Sequence, residues 1–164
     1  CKAVDMIPNL QIQVTFRCTQ DNKPYIVMAY DSRVDKFSKV KNMFGGLRSN
    51  GTTPEGLCFE AIMKSFIPIN NDLDSYFLNL SDGQPYFGGP GFYYAGDSAE
   101  RHTNKMVKMI EGMGIKTLSY FITDYYGGCD ERSFKNMYGK SAKMVDVTNV
   151  NQITKTMNQL FLQK

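Results

Sequence analysis

The sequence has no apolar run near the ~20 residues that a membrane-crossing helix needs, which excludes such a helix from this chain. Its first residues, Cys1-Lys2-Ala3-Val4-Asp5, lack the positive start and apolar stretch of a secretory signal. No Gly-x-x-x-x-Gly-Lys-Ser/Thr segment occurs, so phosphate-loop nucleotide hydrolysis is excluded. The single histidine, His102, has no cysteine near it, and the spacing of Cys1, Cys18, Cys58 and Cys129 matches no zinc pattern. Charge of neither sign dominates. The net charge is +3, and the small basic group Lys36, Lys39, Lys41 and Arg48 reads as a solvated face. The aromatic residues lie in strand-like runs away from those charges, which argues against a nucleic-acid partner. Repeats, linkers and low-complexity tracts are absent.

The composition that remains is that of a folded domain. At 42% hydrophobic and 21% charged, the chain is neither disordered nor fibrous. Its 164 residues suit one core, so residues 1–164 are read as a single domain. Cys58 falls on the apolar side of a helix, where a buried thiol is the ordinary expectation, and a reducing cytoplasm fits the cysteine usage.

Alternation of Leu10, Ile12, Val14 and Phe16 predicts a strand over 10–16. A turn-rich break at 18–24 leads to a second strand at 25–30, close enough to form an antiparallel hairpin. A short helix is expected within 34–44. Thr53 is expected to cap a helix that opens at Pro54, carries Glu55 in its first turn and ends before Pro68. Its stripe is Leu57, Cys58, Ala61, Ile62, Ser65 and Phe66. A central strand over 75–80 follows, then a glycine-rich aromatic loop over 83–96, a helix over 99–112 and a second central strand over 117–123. A short helix at 133–138, a strand at 144–147 and a last helix from Asn149 complete the order. Strands alternating with helices predict an α/β fold with a doubly wound, mostly parallel sheet and one antiparallel edge hairpin.

Ligands of open α/β sheets bind beyond the carboxyl ends of the strands. Two segments fall there: Gly51-Thr52-Thr53-Pro54-Glu55-Gly56 and Leu80-Ser81-Asp82-Gly83-Gln84-Pro85. A hydroxyl and a carboxylate at one rim suit a hard divalent cation, Mg²⁺ or Mn²⁺, which takes oxygen ligands and keeps several waters. The metal candidates are therefore Thr53, with Thr52 as the fallback, and Asp82. Each has an ordinary role as well: Thr53 as a helix cap, Asp82-Gly83 as a turn. A hydrolytic enzyme using Asp82 and Asp124 as acid–base residues is the competing functional class. Against it, His102 reads as a solitary solvated side chain.

These two segments resemble those of von Willebrand factor A-type domains, and in particular of the T-type subunit of cobalt chelatase and its magnesium chelatase relatives. The resemblance runs from the hairpin to the last helix. It implies a metal ion-dependent adhesion site in which Thr53 and Asp82 are ligands and one position stays open for an acidic residue of a partner. It further implies that the partner is an AAA+ ATPase and that the chain itself is a non-catalytic subunit. The family's Asp-x-Ser-x-Ser segment is missing here. Asp31-Ser32-Arg33-Val34-Asp35 does not replace it, because Arg33 stands where serine is needed. Residues 2–7 resemble the end of the family's first helix. The start at Cys1 therefore leads to the expectation that the chain is processed or cut, and that an upstream segment supplies the first strand and the rest of the metal site. A scaffold that has lost the metal is the alternative within the same family.

Overall fold

The computed structural model describes residues 9–46, 51–66, 72–122 and 131–145, together with 1, 151 and 155. The expected last helix falls almost wholly outside this range, as do Asp124, Cys129 and Arg48.

The chain opens with a hairpin of β1 (Gln13–Gln20) and β2 (Lys23–Asp31). It pairs from Gln13↔Asp31 to Gln20↔Lys23, with one irregularity between Val14 and Thr15. The expected break at 18–24 shrinks to two residues. Asp21 and Asn22 both take positive φ, 50° and 57°, as a tight two-residue connection that follows the strand twist requires. Asp and Asn tolerate that region better than other non-glycine residues, so the flanking Cys18, Thr19 and Pro24 stay in the ladder. Helix α1 (Phe37–Phe44) follows, then α2 (Glu55–Ile62), which tightens into a 3₁₀ turn at Met63–Ser65. Strand β3 (Tyr76–Ser81) precedes β4 (Phe87–Gly89) and β5 (Phe92–Tyr94). The last two form a small hairpin inside what the composition presents as a plain loop. Then come α3 (Gly96–Gly112), β6 (Lys116–Ile122), α4 (Glu131–Tyr138) and β7 (Ala142–Val145).

Strands β3, β6 and β7 form a parallel sheet with β6 in the middle. Parallel sheets need cover on their faces. Helices α2, α3 and α4 supply it on one side, through Phe59, Ile62, Met106, Val107, Ile110, Phe134, Met137 and Tyr138, packed with Phe121 of β6. Phe134 sits between Phe121 and Tyr138, at ring distances of 4.9 and 4.5 Å. The architecture is therefore α/β, a three-stranded parallel sheet accompanied by an antiparallel hairpin.

Side-chain contacts orient the hairpin against that sheet. At the C-terminal end of α2, the Gln13 amide donates to the Ser65 carbonyl and Phe77 packs on Phe66. At its N-terminal end, Thr19 accepts from the Thr52 amide and Ser81 donates to Glu55. Strands β1 and β3 thus both run from the C-terminal towards the N-terminal end of α2, parallel to each other. Among the described residues they do not pair: β1 bonds β2, and β3 bonds β6. The Arg17 side chain reaches across from β1, donating to the Asn79 side chain at 2.7 Å and to the Leu80 carbonyl at 3.3 Å.

The opposite face is less covered. Phe16 alternates with Arg17 and meets Phe44 of α1 edge-on. Leu78 and Leu80 alternate with buried Asn79, and Leu80 is 53% exposed. On the hairpin, Tyr25 and Val27, paired with Cys18 and Phe16, are exposed as well.

Candidate metal rim and the charge network beneath it

The structure brings the two predicted segments together. The Tyr86 amide donates to the Thr53 carbonyl at 3.1 Å, and Thr53 forms a parallel bridge with Pro85. The loop entering α2 and the loop leaving β3 therefore lie side by side at the carboxyl end of β3. Thr53 is half-buried there and Asp82 is exposed.

The ordinary role expected of Thr53 does not hold. Pro54 occupies the cap position of α2, and no side chain caps the helix. Pro54 has a helix-compatible φ of −76° but a ψ of 76°, outside the helical region, so the helix begins one residue later than expected, at Glu55. The turn role of Asp82 does hold: its Oδ1 accepts the Gln84 amide at 3.1 Å. The fallback, Thr52, is turned towards β1. Its amide donates to Thr19 Oγ1 at 2.7 Å, and the two hydroxyls lie 3.4 Å apart. Gly51 permits this approach. It holds φ +69°, and a Cβ there would stand 2.1 Å from Thr19 Oγ1 and 2.4 Å from the Thr19 carbonyl.

Beneath the rim lies a network that the sequence did not single out. Glu55 is 2% exposed, and its carboxylate accepts from three directions. Arg17 Nη1 and Asn79 Nδ2 donate to Oε1, each at 3.1 Å, and Ser81 Oγ donates to Oε2 at 3.0 Å. Asn79 also donates to the Tyr138 hydroxyl at 3.0 Å. Burial, with the Glu55 carboxylate second, pushes the Tyr138 phenol well up, so it stays neutral. The Arg17 guanidinium stacks 5.2 Å from the centre of the Phe59 ring. A buried carboxylate is tolerable when paired and fully hydrogen-bonded, and no buried side-chain polar atom among the described residues lacks a partner. The one signal in the sequence was Asn79, which interrupts an apolar run; Arg17 gave none, because it shares the polar face of β1 with Gln13, Thr15 and Thr19.

Three further readings meet the structure here. Asp31 and Asp35 are consumed locally. Arg33 bonds both oxygens of Asp31, with Gln13 donating to one of them, and Lys39 holds Asp35. The Arg33 guanidinium holds the Asp31 carboxyl far below the usual carboxylate range. His102 is not solitary: its Nδ1 lies 3.0 Å from the Tyr94 hydroxyl, and Nε2 lies 3.7 Å from the Glu60 carboxylate. Gly56 makes room for that pair, since a Cβ there would stand 2.5 Å from the Tyr94 hydroxyl. Burial raises the Cys58 thiol to about 11, which suits an inert core cysteine.

The aromatic segment after Asp82 splits into buried and exposed rings. Phe87 and Tyr94 point inward against Ala99 and Leu57. Tyr86, Phe92 and Tyr93 point outward, Tyr93 being 73% exposed, and with Asn22 they line an open groove of about 630 Å³.

The donors at the rim are a hydroxyl and a carboxylate. Oxygen ligands suit Mg²⁺ or Mn²⁺ rather than softer ions, and two protein ligands leave the remaining octahedral positions to water or other groups. Among the described residues no three His, Cys, Asp or Glu side chains gather closely enough to hold a metal ion. No helix among them is long and apolar enough to cross a membrane. No protein-family model matches the chain, and no curated protein matches it.

Proposed function

We propose that this chain is a metal-dependent protein-binding module of the von Willebrand factor A type. Thr53 and Asp82 would hold Mg²⁺ or Mn²⁺, and the ion would supply a positive centre with one position open for an acidic side chain of a partner. The partner class is an AAA+ ATPase of a chelatase-like or remodelling assembly, acting in the cytoplasm, and the motor chemistry resides in that partner. The observation that carries this reading is the joining of the Thr53 and Asp82 loops at one sheet edge, with the Thr53 side chain not spent on capping α2.

The edges of β1 and β3, parallel and unpaired among the described residues, extend the proposal. A strand from the upstream part of the same gene product would pair with both edges, and would bring the missing ligands to the rim. Unpaired backbone groups inside a sheet are costly, which supplies the driving force.

The test is a Mn²⁺ titration of this chain alone and of the chain joined to its upstream segment. Binding is expected to be weak or absent in the first, present in the second, and lost in the second on Asp82→Ala. A joined domain that binds no divalent ion would sink the metal reading in favour of a scaffold. Turnover of a substrate without any partner would instead favour an enzyme.

A further inference from the structure

We infer that Glu55 is a positioning residue for the rim, holding the Asp82 loop at a fixed place relative to Thr53 through Ser81. This rests on the metal-binding reading above for its purpose, but not for its geometry. Glu55 follows Thr53 by two residues and is rigid because it opens α2. Its Oε2 accepts the Ser81 hydroxyl at 3.0 Å, and Ser81 Oγ in turn accepts the Gly83 amide at 3.0 Å. Asp82 lies between those two bonded residues. The chain Glu55–Ser81–Gly83 therefore brackets Asp82 on both sides and refers it to the start of α2, the element that also carries Thr53.

The opposite oxygen of Glu55 is held by Arg17 and Asn79. The carboxylate cannot rotate without giving up two bonds, one of them to a charged donor. This is the logic of outer-shell partners that orient metal ligands: Glu55 and Ser81 would touch no ion, yet would set where the Asp82 carboxylate stands. Gly83 holds φ +75°, a region that favours glycine, and so turns the chain that follows the bracketed Asp82.

The experiment measures Mn²⁺ affinity by electron paramagnetic resonance, and Gly83 amide exchange by NMR, on the full-length protein. Ser81→Ala and Glu55→Gln are each expected to weaken Mn²⁺ binding about tenfold or more and to speed Gly83 exchange by a similar factor. Ser81→Thr, which keeps the hydroxyl, is expected to retain both properties. The double variant is expected to do no more harm than Ser81→Ala alone, because Glu55 acts through Ser81. Ser81→Ala leaves the Arg17–Glu55 pair in place, so it remains informative even if Glu55→Gln does not fold. Gly83 exchange and Mn²⁺ binding at wild-type values in Ser81→Ala would overturn the proposal, as would additive losses in the double variant. If the wild type binds no Mn²⁺ while Gly83 exchange responds as expected, the metal reading falls and the loop-fixing role of Glu55 stands.

Discussion

The two parts of the β-structure are held by different forces. Strands β3, β6 and β7 are bonded to one another and rest on a continuous apolar core under α2, α3 and α4. The β1–β2 hairpin meets that core through Ile26 and is also tied to the other strands by polar bridges: Gln13 to Ser65, Arg17 to Glu55, Asn79 and Leu80, and Thr19 to Thr52. Apolar burial is additive and forgiving of small shifts, whereas a buried ion pair is stabilising only while both partners are present. The hairpin is therefore the part of the molecule whose position depends on single side chains.

Arg17→Ala is the substitution that breaks this comparison most sharply. It strands the Glu55 carboxylate, and a loss of about 3–5 kcal/mol is expected. Urea unfolding should register the loss, and amide exchange should quicken in β1 and β2 before it does in β6. A uniform acceleration across both parts would mean that the hairpin and the core are one cooperative unit. Phe134→Ala supplies the contrast, with a similar loss of about 3–5 kcal/mol spread over β6, α3 and α4.

Gly51→Ala should cost less, about 1–3 kcal/mol, from backbone strain at positive φ together with the collision at Thr19. Thermal melting measures it. A wild-type melting temperature would show that the Thr19–Thr52 contact does not anchor the hairpin.

The smallest effect concerns pH. Asp31, at the end of β2, has its folded pKa lowered by Arg33. A carboxyl depressed on folding contributes stability that is fully present above its unfolded value, about 3.9, and is lost as pH falls from there towards the folded value. Stability of the wild type should thus decline below about pH 4 more steeply than that of Asp31→Asn. Parallel acid profiles for the two proteins would remove Asp31 as a contributor.

Much of the fold was legible because each element satisfies a local rule. The stripe through Leu57, Cys58 and Ile62 specified α2, and the runs around Leu78 and Leu118 specified two strands; β6 is central as expected, whereas β3, expected to be central, is the edge of its sheet among the described residues and leaves Leu78 and Leu80 exposed. Boundaries moved where backbone chemistry overrode composition. Asp21-Asn22 folded into a two-residue turn and returned Cys18 and Thr19 to β1, and Phe87 to Tyr94 closed into a hairpin although glycine and proline make up half of the segment. Of the rim, Thr53 and Asp82 were expected from their motifs, and the structure sets their loops side by side. Asp124 lies outside the described residues.

The sequence by itself determined the order of the described strands and helices apart from the small β4–β5 hairpin, and the two loops that meet at the rim. Periodicity and turn chemistry are properties of neighbours along the chain, so they can be read there. Tertiary structure alone decided that Arg17 and Ser81 join buried Glu55 and Asn79 in one network, that β1 and β3 run parallel without pairing among the described residues, and that His102 has a partner. A charged residue in a strand or a first helical turn looks solvent-facing until elements distant in sequence close over it. Only then does desolvation force each polar group to find a particular partner.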